Sequence, residues 1–142
     1  MGKAKILCVD DDRATVTIIS GVLRHEGYEV ETAYDGQDGI KKAQQMIPDL
    51  IILDIMMPDI DGYEVCRQLS RDSRTAKIGV LMLSAKGDVD KDTNKAWKFA
   101  TNVQDRNRGF DSGALEFLTK PVKAKELVQR VKAVLWMSGI IV

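Results

Sequence analysis

Three consecutive acids, Asp10, Asp11 and Asp12, follow directly on the apolar run 6–9. Like charges placed side by side repel, so either water solvates them or a cation gathers them. A fourth acid, Asp54, ends the apolar run 50–53 in I-I-L-D-I-M-M-P. Ser84 ends another in V-L-M-L-S-A-K, and Lys120 follows a further one in F-L-T-K-P. An oxygen-rich set without His or Cys favours a hard cation, above all Mg²⁺, held by one or two carboxylates plus phosphate and water. A carboxylate can itself be the nucleophile toward a phosphoryl group. A nearby ammonium and hydroxyl would then meet the phosphoryl oxygens. Such chemistry needs mainly positioning and charge stabilisation.

For these residues to meet, the runs that carry them must be neighbouring strands. Five short apolar runs recur, at 6–9, 28–33, 50–53, 78–83 and 115–118. Segments of helical period lie between and after them. Thr15, Ile18, Ile19, Val22 and Leu23 keep the spacing of one buried helix face, Val65 and Leu69 do so more briefly, and Leu127, Val131, Val134 and Leu135 repeat it. Alternating strands and helices imply βαβ units and a parallel sheet covered on both faces. In such a sheet all strand C-terminal ends share one edge, where ligands bind. That edge collects Asp10, Asp11, Asp54, Ser84 and Lys120.

The 142 residues suffice for one domain with one substantial core, so 1–142 is expected to be a single domain. From Ser84 to Lys120 the chain runs 36 residues, more than one helix with short loops requires. An insertion between strand 4 and strand 5, at about 87–108, is therefore expected. Within it Ala96, Phe99, Ala100 and Val103 beside Trp97 give an amphipathic helix pattern. Lys plus Arg and Asp plus Glu both total 21, so the overall charge does not point to general nucleic-acid binding, which needs a basic surface, while a local basic patch stays open. No signal peptide or membrane span is evident, so the expected location is cytoplasmic. Cys8 and Cys66 lie in apolar runs and read as reduced core residues.

Taken together, V-D-D after the first strand, L-D-I-M-M-P-D-I-D-G around Asp54, L-S-A after the fourth strand and G-A-L-E-F-L-T-K-P-V make the chain resemble a response regulator receiver domain of two-component signalling. The resemblance runs along nearly its whole length. It implies a flavodoxin-like α/β fold: a doubly wound five-stranded parallel sheet, order 2-1-3-4-5, with helices on both faces. By position, Asp54 matches the phosphoacceptor. Asp10 and Asp11 match the acidic pair that holds Mg²⁺ (or Mn²⁺), with Asp54 and the main-chain carbonyl of Met56 completing the protein ligands. Ser84 matches the switch hydroxyl, Phe117 the switch aromatic, and Lys120 the family lysine, whose bond to Pro121 is usually cis.

The implied function is a phosphorylation-activated switch rather than a classical enzyme. It would catalyse its own aspartyl phosphorylation by a sensor histidine kinase or phosphotransfer protein, and its own slow dephosphorylation. An output partner would read the face of helix 4, strand 5 and helix 5. A homodimer is compatible with this, and neither nucleic acid nor membrane is an expected partner of the domain. The segment 87–108 is expected to tune partner choice. No output domain is visible, so the chain reads as a stand-alone receiver or as part of a longer regulator. An apolar Met56 cannot align an attacking water, which predicts slow-to-moderate self-dephosphorylation.

Other acids have simpler roles. Asp12 and Asp61 directly precede helical segments and are expected to be N-caps. His25, between Arg24 and Glu26, reads as solvated. A rival resemblance is to the haloacid-dehalogenase phosphatase class, with Asp10-Asp11-Asp12 as its D-x-D and Gly87-Asp88 to Asp92 as its later motif. It fails because Ala14 stands where that class has Thr, Lys120 follows the later motif, and Asp54 is left without a role.

Overall fold

The computed structural model describes residues 3–85 and 115–139. The expected helix around Trp97 and the segment 87–108 lie outside the described residues. All five apolar runs are strands: β1 Lys5–Val9, β2 Glu29–Ala33, β3 Leu50–Asp54, β4 Gly79–Ser84 and β5 Leu115–Thr119. The helices are α1 Arg13–His25, α2 Gly36–Met46, α3 Gly62–Arg71 and, last in the chain, α4 Ala124–Met137. The sheet has the order β2-β1-β3-β4-β5. Every neighbouring pair is parallel.

Side chains alternate across the sheet and build two cores. Leu7, Val9, Ile51, Leu53, Val80 and Met82 pack on one side with residues of α2 and α3, among them Ile40, Ala43, Val65, Cys66 and Leu69. Ile6, Cys8, Leu50, Ile52, Leu81 and Leu83 pack on the other with Val16, Ile19 and Leu23 of α1 and Leu127, Val131, Val134 and Leu135 of α4. Each such aliphatic side chain contributes roughly 1.5–3 kcal/mol relative to exposure. Both cysteines are free and buried, and burial pushes each thiol up to about 12, so both stay protonated.

The seam of α4 is the one the periodicity gave, but that of α1 differs. Its buried residues are Val16, Ile19, Ser20 and Leu23, while Ile18 is 56% exposed. A serine in the seam and an isoleucine outside it rotate the apolar pattern away from the true contact face. Helix α2 has no strong apolar period, because two of its buried positions are glycines. A Cβ on Gly39 would stand 2.9 Å from Val9 Cγ1, so close packing on β1 excludes a larger residue.

At the β2 edge, the Arg24 guanidinium donates to the Val30 carbonyl at 2.9 Å, and the Lys42 ammonium donates to the Thr32 carbonyl. Among the described residues no helix is long and apolar enough to cross a membrane.

Candidate functional site

The strand order reverses at β1, which lies between β2 and β3. The crevice where the C-terminal ends of β1 and β3 diverge is the expected ligand position in such a sheet. Asp10 follows β1 there, and Asp54 is the last residue of β3. Asp10 is fully buried and Asp54 nearly so, whereas Asp11 is exposed. Carboxylate oxygens of Asp10, Asp11 and Asp54 all lie within 4.8 Å of one another.

Lys120 reaches into this cluster from the end of β5. Its Nζ stands 2.8 Å from Asp10 Oδ2 and 3.2 Å from Asp54 Oδ1. The backbone places it: the Lys120 N–H donates to the Ser84 carbonyl at 2.8 Å, and the Lys120–Pro121 bond is cis. Burial alone would lower the lysine's pKa, but the two carboxylates outweigh it and hold the pKa above its ordinary value. The Asp54 pKa is raised as well, from 3.8 to about 6, but for a carboxyl the rise favours the neutral form. Burial is the main cause and the Asp10 charge adds to it, with Lys120 offsetting only part. Among the described residues, one cation faces three carboxylates, which leaves the cluster short of positive charge.

Two buried oxygens are also short of partners. Asp10 Oδ1 accepts the Asp12 N–H at 2.9 Å, but Oδ2 has only the Lys120 ion pair, with no hydrogen bond of good geometry. Among the described residues Ser84 Oγ is buried with no hydrogen-bond partner. Unpaired buried polar atoms are costly, and here they border the acidic cluster. An all-oxygen donor set with a charge deficit and unfilled valences fits a divalent hard cation and a phosphoryl group.

Phe117 is half-buried against the core on the α2 and α3 side. In the register Phe117 faces Met82 and Thr119 faces Ser84, so Ser84 and Phe117 share one face of the sheet by strand alternation. The Met56 side chain is 62% exposed just beyond Asp54. Gly62 lets the loop 55–61 fold back on β3: its N–H donates to the Ile55 carbonyl at 2.8 Å, and a Cβ there would lie 2.6 Å from the Asp54 carbonyl oxygen.

Asp12 and Asp61 are N-caps as expected, accepting from the N–H groups of Ala14 and Glu64 at 3.1 and 2.9 Å. His25 is exposed. Two features had no sequence signal. Arg13 lies over the Tyr34 ring at 4.1 Å, and Asp59 grips the start of α2. Each depends on long-range proximity that no local pattern encodes.

The chain is similar to known proteins in sequence and in fold. Residues 6–102, more than half of the chain, match the family described as the response regulator receiver domain. The chain is 45% identical over 131 residues to the DNA-binding dual master transcriptional regulator RpaA of Synechocystis, covering 92% of this chain and 48% of that protein. It is 40% identical over 136 residues to the alkaline phosphatase synthesis transcriptional regulatory protein PhoP of Bacillus subtilis, covering 96% and 50%. The chain thus spans about half the length of these curated relatives. Among solved structures, the Vibrio cholerae chemotaxis protein CheY4 superposes with a TM-score of 0.79 at 30% identity, over 94% of this chain and all of that one. A CheY-like receiver domain protein from Methanospirillum hungatei gives 0.79 at 25% identity, over 97% and 98%. The chain belongs to the response regulator receiver domain family, a family of signalling proteins rather than classical enzymes.

Proposed function

We propose that residues 1–142 form a receiver in which Asp54 takes a phosphoryl group from a sensor histidine kinase or a phosphotransfer protein. The observation that carries this reading is the position of Lys120 Nζ, 2.8 Å from Asp10 and 3.2 Å from Asp54, together with a buried Ser84 hydroxyl that has no hydrogen-bond partner among the described residues. A purely structural lysine accounts for the ion pairs but not for the hydroxyl.

In the step itself an Asp54 carboxylate oxygen attacks phosphorus. The bond from phosphorus to the donor's nitrogen, or to the oxygen of an acyl phosphate, breaks with its electron pair on the donor. Asp10, Asp11, Asp54 and the Met56 main-chain carbonyl would hold Mg²⁺ (or Mn²⁺), which when bound supplies positive charge against the carboxylates and the phosphoryl oxygens. Lys120 meets the phosphoryl oxygens as a fixed cation, and Ser84 turns its free O–H to donate to one of them. Phe117 follows on the same sheet face. The surface around β5 and α4, with the helix expected before β5, is then read by an output partner or a second copy. The same residues allow slow loss of the phosphoryl group to water.

Incubation with Mg²⁺ and acetyl phosphate, followed by intact-mass measurement, tests this. The expected result is one added phosphoryl group, absent in Asp54→Asn. Label that survives in Asp54→Asn but disappears in Asp10→Asn would transfer the nucleophile to the first strand. No label and no Mg²⁺ binding would leave a protein-binding module of receiver shape.

A further inference from the structure

The loop 55–61 carries Met56, whose carbonyl the family resemblance assigns to the metal, yet Met56 itself is exposed. Something else must fix the loop's backbone. At its base the Gly62 N–H closes on the Ile55 carbonyl. At its far side Asp59 makes a two-pronged contact with a different helix. Its Oδ1 accepts the Gly36 N–H at 2.9 Å and its Oδ2 the Gln37 N–H at 2.8 Å, across 23 and 22 residues of chain.

Helix α2 already has its own cap. Asp35 accepts the Asp38 N–H at 2.7 Å. Asp59 takes two of the remaining N–H groups that a helix start leaves without partners, and the positive end of the helix attracts the carboxylate. Desolvation works against the Asp59 charge, but the backbone N–H bonds outweigh it and hold its carboxyl below the ordinary value. The same junction is closely packed, since a Cβ on Gly36 would lie 2.5 Å from Ile60 Cγ1. Asp59 caps nothing on its own side, because Asp61 caps α3. Two residues separate it from Met56, and one of them is Pro58, whose fixed φ stiffens the span.

We propose that Asp59 is a positioning residue that holds loop 55–61 in its metal-binding conformation and so couples divalent-cation affinity to the start of α2. The proposal rests on reading Asp10, Asp11 and Asp54 as a cation site. Coupling is reciprocal, so a cation bound at the strand ends must also be felt at Gly36 and Gln37.

The test is calorimetric titration of Mg²⁺ into wild type, Asp59→Ala and Asp59→Asn, with the Gly36 and Gln37 amide resonances followed in parallel. Groups that support a metal ligand commonly command 10- to 100-fold in affinity, and an exposed one belongs at or below the bottom of that range. Asp59→Ala is expected to bind Mg²⁺ about five- to tenfold more weakly, with Asp59→Asn in between because its single acceptor keeps one prong. Both amide resonances are expected to shift with Mg²⁺ in wild type and to lose that response in Asp59→Ala. Equal Mg²⁺ affinity in folded variants, with only a lower Tm, would overturn the proposal and reduce Asp59 to a helix staple. Should Asp59→Ala fail to fold, Asp59→Asn carries the comparison. No Mg²⁺ binding by wild type would overturn the cation site itself.

Discussion

Asp54 and Asp61 stand seven residues apart in one loop region, and Asp10 and Asp12 only two apart, yet each pair divides between opposite circumstances. Asp12 and Asp61 sit at helix starts, where backbone N–H groups satisfy them. The Thr15 hydroxyl leads the causes that hold the Asp12 carboxyl below its ordinary value. Asp10 and Asp54 sit at strand ends, buried, crowded by each other and, among the described residues, served by one shared lysine. Asp54 is consequently pushed up to about 6. Satisfied acids contribute to the fold. Unsatisfied acids are tolerated by a fold that is otherwise well packed, and that imbalance is what a bound cation and phosphoryl group would relieve.

The largest effect expected from disturbing this contrast is chemical. Lys120→Met removes the ammonium that, among the described residues, is the one that touches both buried acids, and should slow acetyl-phosphate labelling of Asp54 about a hundredfold, the usual cost of losing one fixed donor to developing charge. A rate within threefold of wild type would mean the lysine only balances charge.

Next in size is a stability gain. In the folded chain Asp54 titrates at about 6 rather than 3.8, so between those values the folded state binds more protons than the unfolded one. The stability this protonation gives is fully present below about pH 4 and is lost as pH rises through about 6. The displacement corresponds to roughly 3 kcal/mol at 1.36 kcal/mol per pH unit, reduced to about 1–2 kcal/mol by water at the open rim. Without Mg²⁺, Asp54→Asn should therefore be about 1–2 kcal/mol more stable than wild type at pH 7.5 and equal to it near pH 4. Urea denaturation at the two pH values measures this, and a loss of stability at pH 7.5 would contradict it.

A helix-start acid should respond with the opposite sign. Asp61→Ala is expected to cost about 1 kcal/mol in the same assay, because the Glu64 N–H loses its acceptor. A gain there would erase the distinction between the two kinds of acid.

Much of this was legible in the sequence, for identifiable reasons. Strands buried on both faces must be continuous apolar runs, so 50–53 and 78–83 announced themselves and carried Asp54 and Ser84 to the correct edge. The seam of α4 is wholly apolar and was read without error. In α1, Ser20 occupies a core position with its hydroxyl unpartnered among the described residues while Ile18 faces water, so hydrophobicity misreports the orientation. Helix α2 hid behind Gly36 and Gly39, whose missing side chains are themselves the packing solution. Asp59 was overlooked because its partners lie 22 and 23 residues away, beyond any local motif.

The cations on the outer strand bear on how the molecule meets other proteins. An uncovered sheet margin offers its main chain as a template to any extended segment that drifts past. On β2, the Val30 and Thr32 carbonyls are already taken by Arg24 from one helix layer and Lys42 from the other. A passing chain would have to displace both before it could add a strand. Along this margin recognition is thereby left to side chains, whose shape and charge can discriminate among partners where backbone alone cannot.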